Sequence, residues 1–226
     1  MSMFLIYDAE AYEYLLQPAG YVVLAILMLG LLAFILFLGK QKHSVRMSTR
    51  ELVFCAICMA LATVTSFLKL ASLPFGGSVT LFSMLFIALI GYFYGPKTGL
   101  IAGAAYGILQ LLIDPYIFAP LQVLLDYPLA FGALGGLGGI FYRRKHGLAL
   151  GYICGVIGRY ICHVISGYVF FAEFAPEGTN PFFYTVTYNA TYIVPEMILT
   201  AVLLFIPAMS NAIARARQQA LSGAGA

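Results

Sequence analysis

Apolar residues in this chain fall in long uninterrupted runs, broken by short polar or Gly-Pro segments, with no strand-like alternation. In lipid, a run of about 20 residues can pair all its backbone polar groups only as a helix. Seven such runs are read, at residues 20–39, 51–70, 79–94, 98–113, 118–141, 148–171 and 182–209. The third is short and ends at Gly95-Pro96, the fourth ends at Asp114-Pro115, and the fifth is rich in glycine. Pro195 lies inside the last run and predicts a kink there. The first run is too long for a secretory signal, and Asp8, Glu10 and Glu13 stand where such a signal would be basic. It has no polar residue between Tyr21 and Gly39, and a basic stretch separates it from the rest. The pattern therefore predicts an all-α membrane protein in three segments: residues 1–46 with an added transmembrane helix, a six-helix core at 47–210, and a tail at 211–226.

Composition agrees. Of 226 residues, 62% are hydrophobic and 9% are charged, whereas a soluble domain is roughly a quarter charged. A soluble enzyme, a disordered protein and a nucleic-acid binder are all disfavoured, and a net charge of +3 gives no case for nucleic acid. The four cysteines sit in apolar runs and make no disulfide framework.

The placement of charge matters more than its sum. Lys40, Lys42, Arg46, Arg50, Lys97, Arg143, Arg144, Lys145, Arg215 and Arg217 all fall on one side if the chain crosses seven times. Asp8, Glu10, Glu13, Asp114, Glu173 and Glu177 fall on the other, with Lys69 the basic exception. The positive-inside rule then puts the N-terminus outside and the C-terminus in the cytoplasm of a multi-pass plasma-membrane protein.

Ionisable groups at membrane depth are costly, so each is a candidate site. Those here are Asp126, Arg159, His163 and Glu196, with the amide Asn189. Counted at about 1.5 Å per residue from the outer helix ends, Asp126, His163 and Asn189 lie roughly 10–12 Å deep on three helices. This predicts a pocket open to the outside. Arg159 and His163 are four residues apart and share a helix face, which Gly167 continues outward with room for a ligand. Arg159 and Glu196 reach similar depth and are expected to form an ion pair between helices. Taken alone, His163 reads equally as a satisfied core histidine, and Asn189 as a bond between helices. The outer halves of the last three spans are crowded with Tyr and Phe, some of which would cage a flat cation beside Asp126.

Other motifs are weaker. Gly95-Pro96-Lys97-Thr98 lacks phosphate-loop spacing, Cys55 and Cys58 have no second pair, and His163 with Ser166 is no protease dyad on one helix. No metal site, cofactor or catalytic residue is expected. Gly132/Gly136 and Gly135/Gly139 form small-residue faces suited to packing within the chain, while Ala56 and Ala60 form one that suits a partner helix.

Several linked segments, in order, resemble one family. They are Leu125-Asp126-Tyr127-Pro128-Leu129-Ala130, then Arg159-Tyr160-x-x-His163-x-x-x-Gly167, then residues 171–181, then Tyr184-x-x-x-Tyr188-Asn189 and Pro195-Glu196. Over the six-helix core the chain resembles the thiamine-specific substrate-binding subunits of energy-coupling-factor vitamin transporters. The resemblance implies thiamine as ligand and a separate energising module, made of a membrane scaffold protein and two ATPases. It implies ligand-binding roles for Asp126, Tyr127, Arg159, Tyr160, His163, Gly167, Phe171, Tyr184 and Asn189, and a module-facing role for Ala56 and Ala60. Members of that family commonly stack the vitamin on Trp and often carry Glu at the acidic position. This chain has no Trp, with Phe171 and Phe182 at two such positions, and has Asp126 for the acid. Two other functions fit the same architecture: binding another vitamin or a pyrimidine precursor, and stand-alone ion-driven transport.

Overall fold

The computed structural model describes residues 5–8, 13–19, 22, 47–73, 76–144 and 147–222. Apart from Val22, the first expected span lies outside the described residues, as do Lys40, Lys42, Arg46, Pro74, Phe75 and Lys145. Two short antiparallel hairpins depart from the all-helical expectation. In the first, β1 (Leu5–Asp8) pairs with β2 (Glu13–Leu16). In the second, β3 (Lys69–Ser72) pairs with β4 (Ser78–Thr80).

The rest is helical: α1 (Thr49–Ser66), α2 (Ser83–Tyr94), α3 (Pro96–Ile113), α4 (Pro120–Gly138), α5 (Gly147–Phe170), α6 (Pro181–Phe205) and α7 (Pro207–Leu221). Five of these, α1 and α3 to α6, are long and apolar enough to cross a membrane. Their ends follow local chemistry. A capping box starts α1, in which Ser48 Oγ accepts from the Glu51 N–H and Glu51 Oε2 accepts from the Ser48 N–H. Proline opens α3, α4, α6 and α7, where its missing N–H costs nothing.

Helix α2 has only 12 residues, about 18 Å at the helical rise. Nearly all of its residues are buried, which explains a run that is apolar all round. The expected span at 79–94 therefore splits into β4, a left-handed Phe82 (φ 63°) and α2. The expected span at 182–209 also splits. The helix continues through Pro195 but stops at Phe205, and Pro207 starts α7, so the segment boundary expected at 210 falls inside a helix. Met209, Ile213 and Ala220 of α7 pack back on the core, and Arg217 lies 4.6 Å over the Tyr92 ring and donates to the Tyr142 carbonyl.

Glycines set the closeness of the bundle. On α3, Gly99, Gly103 and Gly107 recur every fourth residue and lie against the α4 backbone at Gly135, Phe131 and Tyr127. Gly91 of α2 and Gly151 and Gly155 of α5 meet the same helix. A Cβ at any of these positions would collide with backbone. By contrast, α1 buries only Cys55, Cys58 and Ala62, and leaves Ala56 and Ala60 exposed beside Leu52, Val53, Ile57, Leu61 and Val64.

Candidate functional site

Asp126 sits on a wider turn inside α4. Pro128 has no N–H to continue the ordinary ladder, and residues 125–129 form a π turn in which the Ala130 N–H bonds to the Leu125 carbonyl, five residues back. This turn faces α5 with Asp126 and directs Tyr127 toward the end of α3. Asp126 Oδ1 lies 3.0 Å from His163 Nδ1. Its Oδ2 accepts from Ser166 Oγ at 2.9 Å and from Gln122 Nε2 at 2.8 Å. Arg159 Nε donates to His163 Nε2 at 3.3 Å. Nε2 is thus the acceptor, and Nδ1 carries the proton directed at Asp126. The guanidinium also lies 4.2 Å over the Phe131 ring.

Helix α6 completes the wall. Asn189 Nδ2 donates to the carbonyls of Thr185 at 2.9 Å and His163 at 3.4 Å, while its Oδ1 accepts from Tyr192 OH at 2.5 Å. Both readings of Asn189 meet here, because it bridges helices and also borders the cavity. A Cβ at Gly167 would lie 2.6 Å from Thr185 Cγ2 and 3.2 Å from Asn189 Nδ2. The room expected for a ligand at Gly167 is therefore taken largely by α6, which packs against it.

These groups surround a cavity of about 150 Å3. Asp126, Tyr127, Arg159, His163, Gly167, Phe171, Tyr184 and Asn189 all line it. Tyr160 is not among the lining residues. One position beyond Arg159, it turns around the helix toward α6, and its hydroxyl donates to the Val186 carbonyl at 2.7 Å. One wall is aromatic: the Phe171 ring lies 6.0 Å from Tyr116 and is backed at 5.0 Å by Phe118, which is not itself a lining residue, while Tyr184, Tyr188 and Tyr192 form a run along α6. At the mouth, Lys69 Nζ meets Asp114 Oδ2 at 2.5 Å, which pairs the basic residue expected among the acidic loops with an acid.

The expected Arg159–Glu196 ion pair does not form. Glu196 accepts instead from Thr80 Oγ1 at 2.6 Å, Ser83 Oγ at 3.2 Å and the Met84 N–H at 3.0 Å. Its carboxylate caps α2, whose first turn has no side-chain cap of its own and carries the positive end of the helix dipole. Sequence reasoning missed Gln122 and Thr185, counted Tyr192 only among the aromatics of the outer halves, and placed Ser166 only beside His163. The four-residue spacing from Gln122 to Asp126 was the available signal.

A family model described as thiamine transporter protein matches residues 52–215. Thiamine transporter ThiT of Bacillus subtilis is 40% identical over 184 residues, covering 74% of this chain and 92% of its own length. Thiamine transporter ThiT of Lacticaseibacillus paracasei is 32% identical over 119 residues, covering 46% of this chain and 59% of its own. A solved structure of ThiT from Listeria monocytogenes superposes with a TM-score of 0.57 at 24% identity, over 70% of this chain and 96% of that one, a likeness in fold.

Proposed function

The chain belongs to the thiamine transporter protein family, and on that premise we propose that it captures thiamine from outside the cell as the substrate-binding subunit of an ATP-driven importer. It is a multi-pass bacterial membrane protein whose relatives are named as transporters, not enzymes. The observation that carries the capture reading is the partly buried carboxylate of Asp126, aligned by three donors at the edge of an aromatic-walled cavity. Thiamine offers a permanent thiazolium cation and an aminopyrimidine. The carboxylate answers the cation or the exocyclic amine, and Tyr and Phe faces add cation–π attraction. Tyr184 and Asn189 Oδ1, which has a second lone pair, serve the pyrimidine edge, while His163, whose two ring nitrogens meet Asp126 and Arg159, aligns the carboxylate. Arg159 fixes the His163 tautomer, and Tyr127 and Phe171 help form the walls.

The β3–β4 hairpin serves as the lid. A Cβ at Gly76 would lie 3.0 Å from Tyr116, and one at Gly77 would lie 2.9 Å from Tyr192 and 3.0 Å from Tyr188 OH. The bare backbone therefore seats between aromatics of two elements. In this reading the core at 47–210 carries six membrane helices with the C-terminus inside, residues 1–46 add a seventh helix, and 211–226 are cytoplasmic. The resemblance to energy-coupling-factor subunits implies that release uses a scaffold protein and two ATPases, which the exposed Ala56–Ala60 face of α1 would contact.

Uptake of labelled thiamine into cells with and without such a module tests this directly. Accumulation only when the module is co-expressed is expected. Equal, ion-gradient-dependent uptake without it would contradict the subunit role.

A further inference from the structure

We infer that Gln122 is a positioning residue that locks the Asp126 carboxylate to the aromatic wall, so that acid and ring surface are presented to the ligand as one unit. The inference rests on the thiamine-capture reading. Gln122 is 1% exposed and lies one turn before Asp126, in the first turn of α4. Its Oε1 accepts from the Phe118 N–H at 3.0 Å. Its Nε2 donates to Asp126 Oδ2 at 2.8 Å and to the Tyr116 carbonyl at 3.3 Å. One orientation of the amide satisfies all three, because the reverse would set oxygen against both the carboxylate and the carbonyl.

The segment it holds carries the wall. Tyr116 and Phe118 flank Phe171, and Phe118 also meets the Phe174 ring edge at 6.1 Å. A second tie runs through Tyr127, whose hydroxyl accepts from the Tyr116 N–H at 2.7 Å and donates to the Asp114 carbonyl at 3.0 Å. Residues 114–118 thus hang from two α4 side chains, one of which also fixes the carboxylate. In a chain without Trp, smaller rings must supply the stacking surface, and holding them rigid cuts the ordering cost of binding.

Calorimetric thiamine titration of purified protein, with hydrogen exchange at the Phe118 amide, tests the inference. Gln122→Met should weaken binding roughly tenfold and raise Phe118 exchange, with exchange in α5 unchanged. In an Asp126→Asn background the same change should cost less than about twofold, since residues acting through one contact are not additive. Gln122→Glu keeps the acceptor for Phe118 but turns an oxygen onto Asp126. It should weaken binding while leaving Phe118 protected. Unchanged affinity, an equal fold loss in both backgrounds, or unchanged Phe118 exchange in Gln122→Met would overturn the inference. Should the wild-type chain fail to bind thiamine, the capture reading falls. Phe118 exchange in Gln122→Met then decides the bridge alone: raised exchange upholds it, and unchanged exchange overturns it.

Discussion

At the residue scale, two carboxylates, Glu196 buried and Asp126 partly buried, are stabilised in different ways. Asp126 gathers a histidine, a serine and a glutamine at the cavity edge, whereas Glu196 gathers two hydroxyls and a backbone N–H at the start of α2. Removing Glu196 strands the Met84 N–H and at least one hydroxyl donor, since Thr80 and Ser83 can bond only each other, at 2.7 Å. Glu196→Ala should therefore cost about 1–3 kcal/mol, read as a lower unfolding midpoint in detergent. Among the described residues no ion pair joins Arg159 to Glu196, so Glu196→Gln and Arg159→Gln should add to within about 0.5 kcal/mol in a double-mutant cycle. A coupling well above that would restore the ion pair. The sequence made depth legible, and so Asp126 and His163 could be expected to meet. Depth does not give direction around a helix, and it could not show that Glu196 turns to α2 while Arg159 turns to His163 and Phe131. The cap depends on the left-handed Phe82, which no motif announced.

At the element scale, glycine on α3 and α4 decides how closely the bundle closes. Gly132 and Gly135 were read from the sequence as parts of adjacent small-residue faces, yet their surroundings differ. A Cβ at Gly135 would strike the Gly99 backbone, while one at Gly132 would sit 3.6 Å from Ala104 and Leu100 in ordinary contact. Gly135→Ala should destabilise by about 1–3 kcal/mol through overpacking. Gly132→Ala should be neutral or stabilise by up to about 1 kcal/mol through helix propensity. Thermal unfolding of the two variants separates them, and equal midpoints would contradict the seam. The long helices were legible because their apolar runs are continuous. The π turn at Pro128 and the β3–β4 hairpin were not, since both depend on hydrogen bonds to other elements and leave no periodic trace.

At the scale of the whole molecule, charge divides the chain into an acidic end, where the cavity lies, and a basic end. The cavity, the β3–β4 hairpin and the Lys69–Asp114 pair lie toward the acidic side, and the exposed basic residues Arg50, Lys97, Arg143, Arg144 and Arg215 lie toward the other. The charge asymmetry between the two ends was legible, because lipid forces charge onto the loops. The chain's partner was not, because an exposed apolar helix face looks alike whether lipid or protein covers it. The exposed small face of α1 supplies the test. Ala56→Trp with Ala60→Trp adds bulk outside the core, so thiamine binding should persist while uptake is lost. Retained uptake would move the docking surface elsewhere. The central claim is that this cavity holds thiamine through Asp126. With no Trp to report by fluorescence, calorimetric titration of the purified protein is the most direct measurement. The account predicts saturable thiamine binding by the wild-type chain and a loss of roughly tenfold or more in Asp126→Ala, as expected for a partly buried charged hydrogen-bond partner. Equal affinity in the two proteins would contradict it.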